Sequence, residues 1–532
     1  MMNEVKIRRG VFITFSLLWM TIIFLDYMDK HPIYWLSVVK FKYHTWLIVN
    51  ALVGIILALY SKGLGCFKKL GPAKINGLHI YLLFLFVLCF TAFSFNQYMR
   101  VDLNISHYLH LITRSSYTLL GGLIVFLSAF SLGDLLITRL FKQDLPNITR
   151  VLTSMALGLF VISLILFGIG AMKLLINPVV LAVLILPILI NYKSNGKHLK
   201  SWFWKPYQIP TDWSFWASLM LYGCLVLATM NFFFTQAPFP MGFDARNYYI
   251  NISQLLAQNE ALVPGFQPYS WNLVASVGYI AFLSPEITLF LSTIGIFLSC
   301  WGIYELSVRY FKILPDYAIM VIMIFLLTPA IMNHWIIEFK VDLTLLFVQL
   351  SILCVLFNWI SHKKEEILLV NRSDWNMLFI ISLLIGFSLS IKVLSVFLAF
   401  GVVLVYFLFH RDRWGTVGIA CLGISLPILM QLDNISGVRS YFDNPNHAAY
   451  LFATLGLVAL GYSLFKNIKT HSIPLLKIIS ITGLVSILCF SPWVVKNYMD
   501  NPNGSAAQLL LGKKPQADIN VRSIDKNFRG GQ

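Results

Sequence analysis

The sequence predicts an all-α integral membrane protein, a polytopic helical bundle of about fifteen transmembrane helices with an extracytoplasmic loop carrying interfacial helices. Three observations predict it. Apolar residues make up 58% of the 532 and charged residues 12%, with a mean hydropathy of +0.75, a balance that leaves a water-soluble core without a polar surface. The apolar residues fall in blocks close to the roughly 20 that a helix needs to cross about 30 Å of hydrocarbon. Lys and Arg return at every second connection, as the positive-inside rule requires of a chain that crosses repeatedly.

The first block, residues 11–25, follows Lys6, Arg8 and Arg9. No small-residue cleavage site follows it, so it reads as a span rather than a signal peptide. Blocks at 46–60, 79–95, 117–137, 151–172, 175–190 and 214–233 complete an N-terminal set. The basic start is then cytoplasmic, as are the connections with Lys62, Lys68, Lys69 and Lys74, with Arg139, Lys142 and Arg150, and with Lys193, Lys197, Lys200 and Lys205. Residues 236–267 fall outside. Further blocks at 285–308, 317–332, 341–360, 375–391 and 393–409, and three more beginning near Gly415, Ala448 and Pro474, finish at Pro492. The apolar stretch 269–283 would spoil the charge alternation as a span, and reads as a helix lying in or re-entering the outer interface.

This gives three regions: 1–213, an N-terminal six-span region without an assigned role; 214–493, a transmembrane core that includes the outer loop 236–284; and 494–532, a short extracytoplasmic tail. The tail strains the rule, because Lys496, Lys513, Lys514, Arg522, Lys526 and Arg529 lie outside. No convincing internal repeat is apparent. The net charge of +17 sits mostly in cytoplasmic connections, where its partner is anionic membrane lipid and not nucleic acid. The seven cysteines lie in or beside apolar blocks with no C-x-x-C pair, which reads as packing rather than metal or disulfide chemistry. No H-E-x-x-H, P-loop or G-x-S-x-G occurs.

Chemistry gathers at the outer ends. Asp244 follows two prolines and Gly242 at the start of a stretch with apolar residues at helical spacing, where the helix dipole favours a carboxylate; a plain N-cap is the competing reading. Glu338 and Asp342 flank an outer turn, Lys392 sits between two apolar runs, and Lys496 and Asn497 follow Pro492 and Trp493. Taken singly, such groups snorkel or pair structurally. Together on one face they supply a base and cations for a phosphate.

In this order the features resemble the GT-C superfamily of polytopic glycosyltransferases, in particular the bacterial branch similar to protein mannosyltransferases. The segments GFDARNYYINISQLLAQNEALVPG, FKVDLTLLFVQLSIL, IGFSLSIKVLSVFLAF and SPWVVKNYMDNP carry the resemblance, which covers roughly residues 214–503. It implies transfer of a sugar from a polyprenyl-phosphate-linked donor to an acceptor hydroxyl on a lipid, glycan or protein, at the extracytoplasmic face of a bacterial cytoplasmic (inner) membrane. Asp244 would be the catalytic base. Arg246, Lys392 and Lys496 would hold the donor phosphate, with Tyr248, Glu338, Asp342 and Asn497 completing the substrate site and an apolar wall at 269–283 receiving the polyprenyl chain. The chain departs from the family in lacking D-x-D, since Ala245 and Arg246 follow Asp244, so no cofactor or metal is expected. A polysaccharide polymerase or ligase shares this topology, and a transporter or flippase for lipid-linked glycans is the rival that repeated halves and mid-membrane charges would favour.

Overall fold

The computed structural model describes residues 43–61, 74–99, 104–205, 207–208, 214–236, 249–265, 268–328, 331, 339–361, 372–409, 412–429, 445–466 and 473–504. The described residues are helical apart from connections and one two-residue antiparallel pairing, β1 (Lys74–Ile75) with β2 (Tyr207–Gln208). In chain order the helices are α1 (Tyr43–Ser61), α2 (Gly77–Met99), α3 (Ile105–Leu135), α4 (Asn147–Ala171), α5 (Asn177–Ile190), α6 (Tyr192–Phe203) and α7 (Phe215–Thr235). There follow α8 (Ile250–Asn259), α9 (Ser270–Phe282), α10 (Pro285–Thr293), α11 (Gly295–Glu305), α12 (Pro315–Leu327) and α13 (Asp342–Ser361). The last are α14 (Arg372–Ile391), α15 (Val396–Phe409), α16 (Arg413–Leu429), α17 (Pro445–Lys466) and α18 (Ile473–Asp500).

Among the described residues nine helices are long and apolar enough to cross a membrane, or up to ten if one bent pair is a single span. The expected fifteen is therefore not reached within them. The first expected block, 11–25, lies outside the described residues, and three apolar helices, Ile48–Tyr60, Pro315–Leu327 and Val393–Leu408, are shorter than a full crossing. The bent pair falls on the span expected at 175–190. There α5 has only 14 residues, about 21 Å of helix, and the chain turns by 84° into α6. Apolar side chains remain on the outside where water would reject them: Leu451, Leu455, Val458 and Phe465 on α17 and Leu484, Ile487 and Leu488 on α18 are all exposed, as helices facing lipid require.

The chain forms two compact units, each drawn from separated stretches. The first comprises Met1–Ser131, Gly168–Ala261 and Asn272–Leu346, and the second Leu132–Phe167, Leu262–Trp271 and Phe347–Gln532. In the first, α7 and α12 lie parallel: Ser214 donates its backbone N–H to Asp316 at 3.1 Å, and further along Ala217 and Met220 pack against Ile319 and Met320. In the second, α3 and α4 form a hairpin so close that a Cβ on Gly133 would overlap the Ser154 carbonyl. Beside it the Arg150 guanidinium pairs with the buried Asp134 at 2.7 Å. Helices α16 and α17 run antiparallel, with Asp412 bonded to Ser463 at one end and Gly418 against Gly456 further on.

Two helix ends resemble one another in sequence and in turn geometry. Leu136, Arg139, Phe141, Lys142, Leu145, Pro146 and Asn147 have counterparts, at nearly the same spacing, in Leu306, Arg309, Phe311, Lys312, Leu314, Pro315 and Asp316. Both stretches end a helix with a wide turn, in which Phe141 bonds Leu136 and Phe311 bonds Leu306, each at 2.9 Å. Lys142 and Lys312 both then take the left-handed conformation, with φ of 50° and 56°, and a proline precedes or opens the next helix. Downstream of each stretch comes another match, Thr211, Asp212 and Trp213 against Ser373, Asp374 and Trp375. The match is a dozen residues with a one-residue gap in an apolar background, so composition hides it and shared turn geometry exposes it.

Candidate functional site

The second unit gathers its polar chemistry at one end of three parallel helices. Helices α4 and α14 start together, where Gln143 and Ser373 exchange hydrogen bonds and Asn376 donates to the Phe141 carbonyl at 2.7 Å. They stay together as far as the ring contact of Phe160 with Phe387, 5.5 Å between centroids. Helices α14 and α18 are in register as well. Ser486 donates to the Ser382 carbonyl at 3.0 Å, and Gly386 meets Cys489 so closely that no side chain fits between. Carrying that register six residues forward brings Lys392, where α14 breaks, level with Val495 and Lys496 on α18.

The end of α18 is a built structure. Expected to finish at Pro492, the helix continues through that proline to Asp500, so Lys496 and Asn497 are helical residues, 6% and 4% exposed. Residues 262–265 and 268–271 fold against them. Trp493 donates its Nε1–H to Ser270 Oγ at 3.0 Å and meets the rings of Tyr269 and Phe167 edge-on at 4.6 and 4.9 Å. The Tyr269 hydroxyl is bonded to both the N–H and the carbonyl of Val263, at 2.8 and 2.9 Å. Over that ring, 5.4 Å from its centroid, lies the Lys496 ammonium, a cation–π contact strengthened by its burial. Lys496 also donates to Asp500 Oδ2 at 2.7 Å, and the same oxygen accepts the Gly265 N–H at 3.1 Å.

The arrangement holds one cation in an aromatic wall against a carboxylate that still touches solvent. A phosphate oxygen can accept the same charge-assisted hydrogen bond from the ammonium that Asp500 accepts, and it gains charge if a group leaves it. Lys392, Lys496 and Asn497 thus share one end of this unit. Asp342 opens α13 as the sequence predicts and is half-buried, but it belongs to the first unit. Asp244, Arg246, Tyr248 and Glu338 lie outside the described residues. Among the described residues no three His, Cys, Asp or Glu side chains converge as metal ligands.

The stretch expected to form an interfacial wall for a polyprenyl chain is helix α9, and it is buried in protein nearly throughout, from Trp271 to Ala281. Its end is fastened by side chains of the first unit that sequence reasoning missed. Asn177 donates to the carbonyls of Ile280 and Ala281 at 2.9 and 3.0 Å, and Tyr117 to that of Phe282 at 2.8 Å. These satisfy carbonyls that a helix C-terminus leaves open. Just beyond, Arg114 pairs with the buried Glu286, which also accepts from Ser284 at 2.6 Å. A signal existed in Arg114, a lone charge inside an apolar helix. Asp500 was legible too, four residues after Lys496.

Fold and site define a class: a helical protein with several helices long and apolar enough to span a membrane, as an integral membrane protein has, and a buried lysine–aromatic cluster at one helix end. No family model, no curated protein and no solved structure matches the chain.

Proposed function

We propose that the protein is a membrane glycosyltransferase that moves a sugar from a polyprenyl-phosphate-linked donor to an acceptor hydroxyl on the extracytoplasmic face. The observation that carries this reading is the buried Lys496 beside Trp493 and Tyr269, level with Lys392. Two cations at the end of parallel apolar helices suit a phosphate whose tail lies in lipid. Lys496 would exchange Asp500 for the donor phosphate and stabilise the charge that grows as the sugar departs. Asp244 would take the acceptor proton, a role worth about 10² to 10⁴ in rate. The polyprenyl chain would run along lipid-exposed helix surface, since α9 is covered. Reconstitution with a polyprenyl-phosphate sugar tests the reading. Transfer that Asp244→Asn abolishes while the variant still folds is the expected result; undiminished turnover in that variant removes Asp244 from the mechanism.

A second reading, a transporter or flippase for lipid-linked glycans, draws on the likeness of the two helix ends, as transporters are commonly built from internal repeats. An engineered cysteine beside Lys392 that becomes accessible alternately from the two sides would support it. Accessibility from one side only would return the weight to the transferase.

A further inference from the structure

Helix α6, YKSNGKHLKSWF, follows α5 after the 84° bend and is strongly two-sided. Asn195, 2% exposed, accepts from Ser131 Oγ at 3.0 Å and donates to the Ile188 carbonyl at 3.1 Å. His198 and Trp202 set their rings against Phe130 at 5.1 and 5.9 Å. At about 100° per residue these three side chains share an arc of about 60°. Lys193, Lys197 and Lys200 share an equally narrow arc on the opposite side, and all three are exposed. Lys205 just beyond is exposed too, and no Asp or Glu occurs from Tyr192 to Lys205. Exposed aromatics stand at both ends, Tyr192 at 61% and Trp204 at 66%, and the Lys193 ammonium lies 5.9 Å from the Tyr192 ring centroid.

We propose that the exposed face of α6 is a docking surface for anionic phospholipid headgroups, with Lys193, Lys197 and Lys200 binding the phosphates and Tyr192 and Trp204 seated at the headgroup level. The chemistry selects lipid over an acidic protein. Large exposed aromatic rings beside lysines are the composition of the membrane interface, and the bend comes directly after an apolar helix. The opposite face is already packed, so the lysines have a fixed direction. The surface belongs to the first unit and stands apart from the reading given to Lys496.

The test uses the full chain reconstituted in vesicles of phosphatidylcholine, alone or with a third of phosphatidylglycerol. Gly196 is exposed on the shoulder of the lysine arc, and a Cβ there meets nothing within 4 Å. A fluorophore on Gly196→Cys, read against wild-type protein treated identically, therefore reports this face without disturbing the packed one. Quenching by brominated phosphatidylglycerol should exceed that by brominated phosphatidylcholine several-fold, with about a fivefold bias from each lysine as the upper limit. The excess should vanish in the Lys193→Gln, Lys197→Gln, Lys200→Gln triple variant, and shrink at about 1 M salt, where screening acts within about 3 Å. Equal quenching by the two lipids overturns the proposal. So does quenching by aqueous iodide with none by either lipid, which assigns the face to water or to a soluble acidic partner.

Discussion

Lys496 donates to Asp500 at 2.7 Å one turn along the last helix, and because Asp500 also accepts the Gly265 N–H, this single carboxylate ties the helix end to the segment 262–271. The pair is asymmetric: the lysine side chain is 5% exposed and the aspartate 21%. Removing the aspartate therefore strands a buried cation, whereas removing the lysine strands a carboxylate that water still reaches.

Asp500→Asn should lower the apparent Tm in detergent more than Lys496→Met does. The expected loss is about 2 to 3 kcal/mol, below the roughly 3 to 5 of a fully buried pair because Asp500 keeps some solvent. Thermal unfolding of the two variants side by side checks the order.

Trp493→Phe keeps an aromatic ring against Tyr269 and Phe167 but deletes the donor to Ser270 Oγ. A loss of about 1 to 3 kcal/mol should follow from the missing hydrogen bond and the smaller ring. Faster proteolysis within 262–271 in the variant, read by mass spectrometry, would locate the effect.

Two glycines of one hairpin should respond oppositely to alanine. Gly133 touches the Ser154 backbone, so Gly133→Ala forces α3 and α4 apart and should cost at least the roughly 1 to 3 kcal/mol of an overpacked core. Gly168 has open space around its Cβ position inside α4, and Gly168→Ala should stabilise by about 0.5 to 1 kcal/mol. Paired melting curves in one detergent decide it.

Arg150→Met leaves Asp134 buried and unpaired, at an expected cost of about 2 to 4 kcal/mol. Adding Asp134→Asn should return part of that loss. A double-mutant cycle with additive effects would show that the pair is not coupled.

Much of this was readable in the chain. Hydropathy alone located most of the long apolar helices, because a backbone in hydrocarbon must satisfy its hydrogen bonds within each segment and so leaves a block of apolar residues for each crossing. The opening of α13 on Asp342 and the break at Lys392 were readable too. Helix ends were less so: Pro492 reads as a stop, yet α18 continues for two more turns because Trp493 and Lys496 are held by Tyr269, Ser270 and Asp500. The 84° turn after Ile190 was likewise hidden, since an apolar block does not report its own bend.

The sequence by itself determined that this is a chain with several long apolar helices, because the apolar length of a helix is a local property. Only the tertiary structure decided that Lys496 faces Tyr269 and Asp500 and that α9 is covered by protein. Those are relations between residues far apart in the chain. Along helices that are apolar on every side, hydropathy cannot distinguish a side chain that faces lipid from one that faces protein.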